Sequence, residues 1–210
     1  MWCHLWHEQQ KINEEFHELL KSVEHIKEIV SVQQSMAKSS GLTQKLEPAE
    51  LIRDALATNT SLLSRRIRVI SIIDPEFPTF ISDKHRILQI LINLIKNSVD
   101  ALSAHDTENP YIRVGATSDK QTITFRVADN GIGIPEEKLS KIFQHGFTTK
   151  NNGHGFGLHS SANAATEMGG KLSVFSDGPG QGAAFELQLP LKPLTDKNNI
   201  GSQEPEAVTS

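Results

Sequence analysis

The sequence predicts an α+β fold: a two-layer α/β sandwich, one mixed sheet covered by helices on a single face, preceded by a long helix. Three observations carry this. The apolar pattern runs helix, strand, helix, two strands, helix, two strands, with no internal repeat. The segment KHRILQILINLIKNSVDALSA is apolar almost all round, which suits a helix buried against a sheet. Residues 5–39 hold neither proline nor glycine and repeat apolar residues on a 4-3 spacing.

In helix 5–39 the seam is Leu5, Ile12, Phe16, Leu19, Val23, Ile26 and Val30, continued by Ala37 and interrupted by Gln9 and Gln33. Such a helix spans roughly 50 Å at 1.5 Å per residue and cannot bury its seam alone. A homodimer through helix 5–39 is therefore expected. Ser39-Ser40-Gly41 breaks the pattern as a hinge, and 41–47 reads as a linker. Pro48 opens a helix over 48–63 from a first-turn position. IRVISII at 67–73 reads as a strand ended by Pro75 and Pro78. Asp83 caps the helix that runs to about Ala104. Strands at 111–117 and 121–129 flank a turn at Ser118-Asp119-Lys120. A short helix at 136–142 and a glycine- and threonine-rich loop at 144–155 follow. The next helix starts near Gly155 and ends at Gly169-Gly170. Strands 171–177 and 183–189 flank a glycine-rich turn, and the tail 193–210 is expected to be disordered.

Composition narrows the function. The 210 residues carry a net charge of −4, with 37% hydrophobic and 22% charged residues, enough for a real core. A pI of about 6.1 argues against a nucleic-acid grip built on excess positive charge. The single cysteine, Cys3, rules out an internal disulfide framework and fits a reducing compartment. No apolar run reaches the ~18–20 residues of a membrane span, and MWCHLW lacks the features of a signal peptide. A cytoplasmic location is expected, which leaves the parent protein free to be membrane-associated.

Four elements carry chemistry. On helix 83–104, Asn93, Asn97 and Asp100 form a polar stripe at i, i+4 and i+7. Their oxygens suit a hard cation that keeps water and phosphate as its other ligands. Asp129-Asn130-Gly131-Ile132-Gly133 follows a strand directly, and a carboxylate there can accept from an exocyclic amine. Phe143-Gln144-His145-Gly146-Phe147-Thr148-Thr149-Lys150 adds a lysine cation. Gly153-His154-Gly155-Phe156-Gly157-Leu158 precedes a helix, where bare N–H groups favour phosphate. No metal-ligand spacing links His85, His145, His154 and His159.

In this order the four elements resemble the N, G1, F and G2 boxes of the GHKL ATPase superfamily, which spans histidine kinases, gyrase-type topoisomerases, heat-shock chaperones and mismatch-repair ATPases. The fold this implies is of Bergerat type. Within the superfamily, residues 48–192 resemble the C-terminal catalytic and ATP-binding domain of a bacterial sensor histidine kinase. Helix 1–40 resembles the second half of a dimerisation hairpin whose first helix is missing.

The resemblance implies ATP and Mg²⁺ as cofactors. It implies that Asn97 holds the metal, with Asn93 near the phosphates. Asp129 would bind the adenine amino group, assisted by Gly131 and Gly133. Phe143 to Lys150 would form a short lid that brings Phe147, Thr148 and Lys150 to the nucleotide. Gly153, Gly155, Gly157 and Leu158 would present backbone N–H groups to the triphosphate. The stretch Ser176 to Phe185 resembles a terminal glycine motif in which relatives carry threonine at the Ala184 position, where a hydroxyl can hold a water on the aspartate.

Water-splitting relatives have a glutamate as general base where this chain has Asn93. An amide cannot take the proton, which favours transfer to a protein over hydrolysis. His17 adjoins the seam residue Phe16, and the acceptor histidine is expected on a helix outside this chain. The reading is the catalytic portion of a two-component kinase that passes the γ-phosphoryl group to that histidine, for relay to a response regulator receiver domain. A non-catalytic nucleotide-responsive interaction module and a serine kinase or ATPase on the same fold are the alternatives.

Overall fold

The computed structural model describes residues 43–59, 62, 67–73, 77, 79–104, 107–119, 121–150 and 155–191. Helix 5–39, the hinge at 39–41, Gly153 and the tail 193–210 lie outside the described residues. The elements are β1 (Gln44–Leu46), α1 (Pro48–Thr58), β2 (Arg68–Ile73), β3 (Phe80–Ser82), α2 (Lys84–Ser103), β4 (Tyr111–Ser118), β5 (Thr122–Asp129), α3 (Glu136–Leu139), α4 (Gly157–Glu167), β6 (Lys171–Phe175) and β7 (Ala183–Pro190).

Five strands form one mixed sheet in the order β2-β4-β5-β7-β6, with β2 parallel to β4 and the other pairs antiparallel. Alternation assigns the faces. Along β5, Ile123, Phe125, Val127 and Asp129 are buried towards the helices. Arg126, between them, points outward and pairs with Glu186. Leu51 and Ile52 of α1, the α2 residues Ile87, Leu91, Leu94 and Ile95, and Leu187 and Leu189 of β7 complete the core on that one face. Each such side chain contributes about 1.5–3 kcal/mol on burial.

α2 starts where its capping residue puts it: the Asp83 carboxylate accepts from the Arg86 N–H at 3.1 Å. Arg86 also pairs with Glu167 at 2.8 Å, which ties the first turn of α2 to the last turn of α4. α1 ends at Thr58, short of 63, because the Asn59 amide turns back to donate to the Ala55 carbonyl at 2.9 Å.

Two strands escape the sequence reading. β1 lies within the stretch read as linker and pairs antiparallel with β3, Leu46 opposite Phe80. Both side chains are buried, and the Phe80 ring meets Phe125 at 6.1 Å between centroids. Three residues are too few to show a period of two.

Candidate nucleotide-binding site

The polar stripe of α2 faces Lys150 of the loop 143–150 and the start of α4. The Lys150 ammonium donates to Asn97 Oδ1 at 2.9 Å and to Asp100 Oδ2 at 2.7 Å, across 53 and 50 residues of sequence. These oxygens therefore already hold a cation between them. Asn93 Nδ2 donates to the Ser161 hydroxyl of α4 at 3.0 Å. Its Oδ1 lies so near Gly157 that a Cβ there would come within 2.6 Å. The close approach of Asn93 thus favours glycine at 157.

Asp129 ends the central strand and is 7% exposed. Its Oδ1 accepts from the Gly131 N–H at 2.9 Å. Burial pushes its carboxyl above the usual carboxylate range, and the N–H of Gly131, the Ser98 hydroxyl and the N–H of Ala183 pull it part of the way back. Ser98 acts on the carboxylate from close by without completing a hydrogen bond; its Oγ is the buried side-chain polar atom left unpaired among the described residues.

The loop after Asp129 is fixed by the terminal glycine-rich turn. Gly182 N–H donates to the Gly131 carbonyl at 3.1 Å, and Ile134 N–H donates to the Ser176 hydroxyl at 2.9 Å. Gly133 has φ +69°, and a Cβ there would strike the Gly178 carbonyl. Register corrects the expectation for Ala184. Ala184 pairs with Ala128, on the face away from Asp129, while Ala183 pairs with Asp129 and shares its face. The residue beside the carboxylate is therefore Ala183, which brings a methyl and an N–H.

The loop from Phe143 to Lys150 folds back on α4. Phe147 packs on the edge of the core, and the Thr148 hydroxyl accepts from the Lys150 N–H at 3.1 Å. Gly155, at φ +71°, lies against the backbone of Gly146 and Phe147. The His145 ring sits 4.7 Å from Phe156 and 5.2 Å from His159, whose Nδ1 is 3.0 Å from the Phe143 carbonyl oxygen. The N-cap residue Phe156 offers no side-chain hydrogen bond to the first turn of α4, and Leu158 packs its side chain against the core.

The structure thus brings Asn93, Asn97, Lys150 and Gly157 together on one flank of α2, and Asp129, Gly131 and Gly133 together at the end of β5. The sequence reading missed Ser161, which orients Asn93, and Ser98. For Ser98 a signal existed: it is the one hydroxyl among Leu94, Ile95, Val99 and Leu102 on the apolar side of α2. The donor set fits Mg²⁺. An amide oxygen and a carboxylate already bind an ammonium, and the described residues hold no cluster of three or more His, Cys, Asp or Glu. A cation that draws its other ligands from phosphate and water matches that arrangement. Among the described residues no helix is long and apolar enough to cross a membrane.

Comparison with known proteins agrees with this geometry. The chain is 37% identical over 123 residues to the sensor protein CitS of Halalkalibacterium halodurans, covering 56% of this chain and 23% of the relative. It is 31% identical over 173 residues to the sensor histidine kinase ZraS of Escherichia coli, covering 77% of this chain and 36% of the relative. The chain thus spans only 23% to 36% of these relatives' lengths. The solved catalytic domain of histidine kinase ThkA, free of nucleotide, is 29% identical with a TM-score of 0.63, covering 72% of this chain and 99% of that one. The match over residues 82–193, which contains both halves of the site, establishes that the chain belongs to the histidine kinase-, DNA gyrase B- and HSP90-like ATPase family.

Proposed function

We propose that the chain is the ATP-binding catalytic portion, residues 48–192, of a sensor histidine kinase. The observation that supports this most is the pairing of two half-sites on one frame. A buried carboxylate, Asp129, suits a base amine, and the Asn93–Asn97–Asp100 stripe faces the N-terminus of α4 and a lysine that suit phosphates. Asp129 would take the adenine amino group, with Gly131 and Gly133 shaping the loop. Asn93, Lys150, Gly155, Gly157 and the backbone at Gly153 and Leu158 would hold the triphosphate, and Phe147 and Thr148 would cover it. Asn97, with Asp100 beside it, would hold Mg²⁺, which when bound neutralises charge on the phosphate oxygens. Placement and charge stabilisation would supply the acceleration.

Asn93 sits where a general base would stand for hydrolysis, and its amide is occupied by Ser161. Transfer to a histidine on a partner helix therefore fits better than hydrolysis, and a response regulator receiver domain is the onward acceptor. Helix 5–39 would supply the dimer contact and the second half of the hairpin.

The test is radiolabelled ATP with a separate protein that carries a helical hairpin and its histidine. Acid-labile, base-stable label on that histidine supports the reading. Label released only as inorganic phosphate would favour the ATPase alternative.

A further inference from the structure

We propose that His145 and His159 form a site for a divalent transition-metal ion of the Zn²⁺ type, which fastens the loop 143–150 to α4. The inference does not rest on the ATP-binding reading, and the ion differs in kind from the Mg²⁺ of that reading.

The pair is made by the fold, since the two residues are distant in sequence. His145 lies in the loop and His159 in the first turn of α4, and their rings stand 5.2 Å apart between centroids with perpendicular planes. Phe156 sits beside His145 at 4.7 Å and keeps that exposed ring against the start of the helix. Two imidazoles that share a tetrahedral Zn²⁺, with Zn–N bonds of ~2.0–2.1 Å, have their ring centroids about 5 Å apart. The observed separation is therefore already that of a chelating pair.

Hydrogen bonding fixes which nitrogen is offered. His159 Nδ1 lies 3.0 Å from the Phe143 carbonyl oxygen. A carbonyl can only accept, so Nδ1 carries the hydrogen. The lone pair of the neutral ring is then on Nε2, where Asn163 Nδ2 donates at 3.2 Å. A ring N–H held by a backbone carbonyl, with the other nitrogen presented as a lone pair, is the arrangement of a metal-binding histidine. Asn163 is exposed, and its amide can turn to present Oδ1 to an ion in place of the N–H. The described residues supply no third His, Cys, Asp or Glu here, so water completes the ligand set.

Ligand type selects the ion. Imidazole suits Zn²⁺, Cu²⁺ and Ni²⁺, whereas Mg²⁺ takes oxygen ligands. Place keeps the two sites apart. Gly157 and Ser161 face Asn93, while His159 and Asn163, each two residues further on, occupy another side of α4. The loop reaches both: Lys150 meets Asn97 and Asp100 on α2, and His145 meets His159 on α4. A metal on the histidine pair therefore anchors one end of a loop whose other end lies at the Asn97–Asp100 oxygens.

The experiment follows the histidine ring nitrogens of the full chain by NMR at about pH 7.5, where an ordinary histidine is neutral. Without metal, His159 should show the tautomer with hydrogen on Nδ1. Added Zn²⁺ should move the ring signals of His145 and His159 together, with the change at His159 centred on Nε2, and Mg²⁺ should move neither. His145→Gln, at an exposed position, should raise the Zn²⁺ concentration needed to shift His159 about tenfold or more. Zn²⁺ should also slow amide exchange from Phe143 to Lys150 in the unaltered chain and not in His145→Gln. A His159 ring with its hydrogen on Nε2 overturns the proposal, because the lone pair then faces the wrong way. Rings that ignore Zn²⁺ overturn it as well. A His159 response unchanged by His145→Gln shows that no ion is shared and also overturns it.

Discussion

The ammonium of Lys150 lies 2.7 Å from an Asp100 oxygen and 2.9 Å from the Asn97 amide oxygen, so a loop residue occupies the place where the proposed metal would bind. Lysine and Mg²⁺ are then competitors for one set of oxygens, or successive occupants of it. Either way, a loop position and a metal requirement are linked.

The first prediction follows from that link. Lys150→Met should weaken ADP binding about fivefold to tenfold when magnesium is chelated, and less when it is saturating, because the metal then neutralises Asp100. Stability should change by no more than about 1 kcal/mol, since both partners are partly exposed. Calorimetry with and without chelator reads the difference. Equal losses in both conditions would show that Lys150 and the metal do not share the site.

The second concerns Asp129 and pH. Its folded-state pKa is raised, mainly by burial. The group therefore contributes stability that is full below the ordinary carboxylate pKa and is lost as pH rises through the raised value. Adenine binding runs the other way, because only the ionised carboxylate accepts well from the amine. Lowering the pH through the raised pKa should weaken ADP binding while this group favours folding. Asp129→Asn should bind ADP roughly tenfold or more weakly at pH 7 and lose this opposed pH dependence. Thermal unfolding and calorimetry across the same pH series check both signs.

The third tests the Asn93–Gly157 approach. Gly157→Ala places a methyl 2.6 Å from Asn93 Oδ1, so the amide must shift, at the expense of its bond to Ser161. Overpacking of this kind costs about 1–3 kcal/mol, although alanine is otherwise the better helix former. ATP affinity should fall more than adenosine affinity. An equal fall would place the damage at the base end instead.

The fourth separates core from surface. Phe125 is fully buried under Phe80, and Phe125→Ala should cost about 3–5 kcal/mol, a large part of a domain's stability. Ile81, next to Phe80 on β3, is 48% exposed, and Ile81→Ser should change stability by no more than about 0.5 kcal/mol. Urea unfolding of both variants gives the comparison.

How much of this was legible depends on range. The α2 helix, its Asp83 cap and the Asn93–Asn97–Asp100 stripe are local, and periodicity displays them directly. The β4–β5 hairpin is local too, marked by its short turn. Strands β1 and β3 are not, because their pairing joins Gln44 to Ser82 and neither strand is long enough to show a pattern. The Ala184 expectation failed by one residue, and in a strand one residue is the difference between two faces. Ser161 and Ser98 matter through contacts with other elements, which composition along a single helix does not record.

Strand β5 lies at the centre of the sheet, between β4 and β7, and Asp129 is its last residue. The proposed base-reading group is therefore attached to the part of the domain that opens only when most of the sheet opens, whereas Lys150 is held by partly exposed contacts on a loop. Amide hydrogens around Val127 should exchange with solvent far more slowly than those from His145 to Lys150. A nucleotide gripped at both ends would then come free in a fixed order, its phosphates let go by the mobile half before its base leaves the rigid one. Its residence time would be set by the lid, and its identity by the sheet.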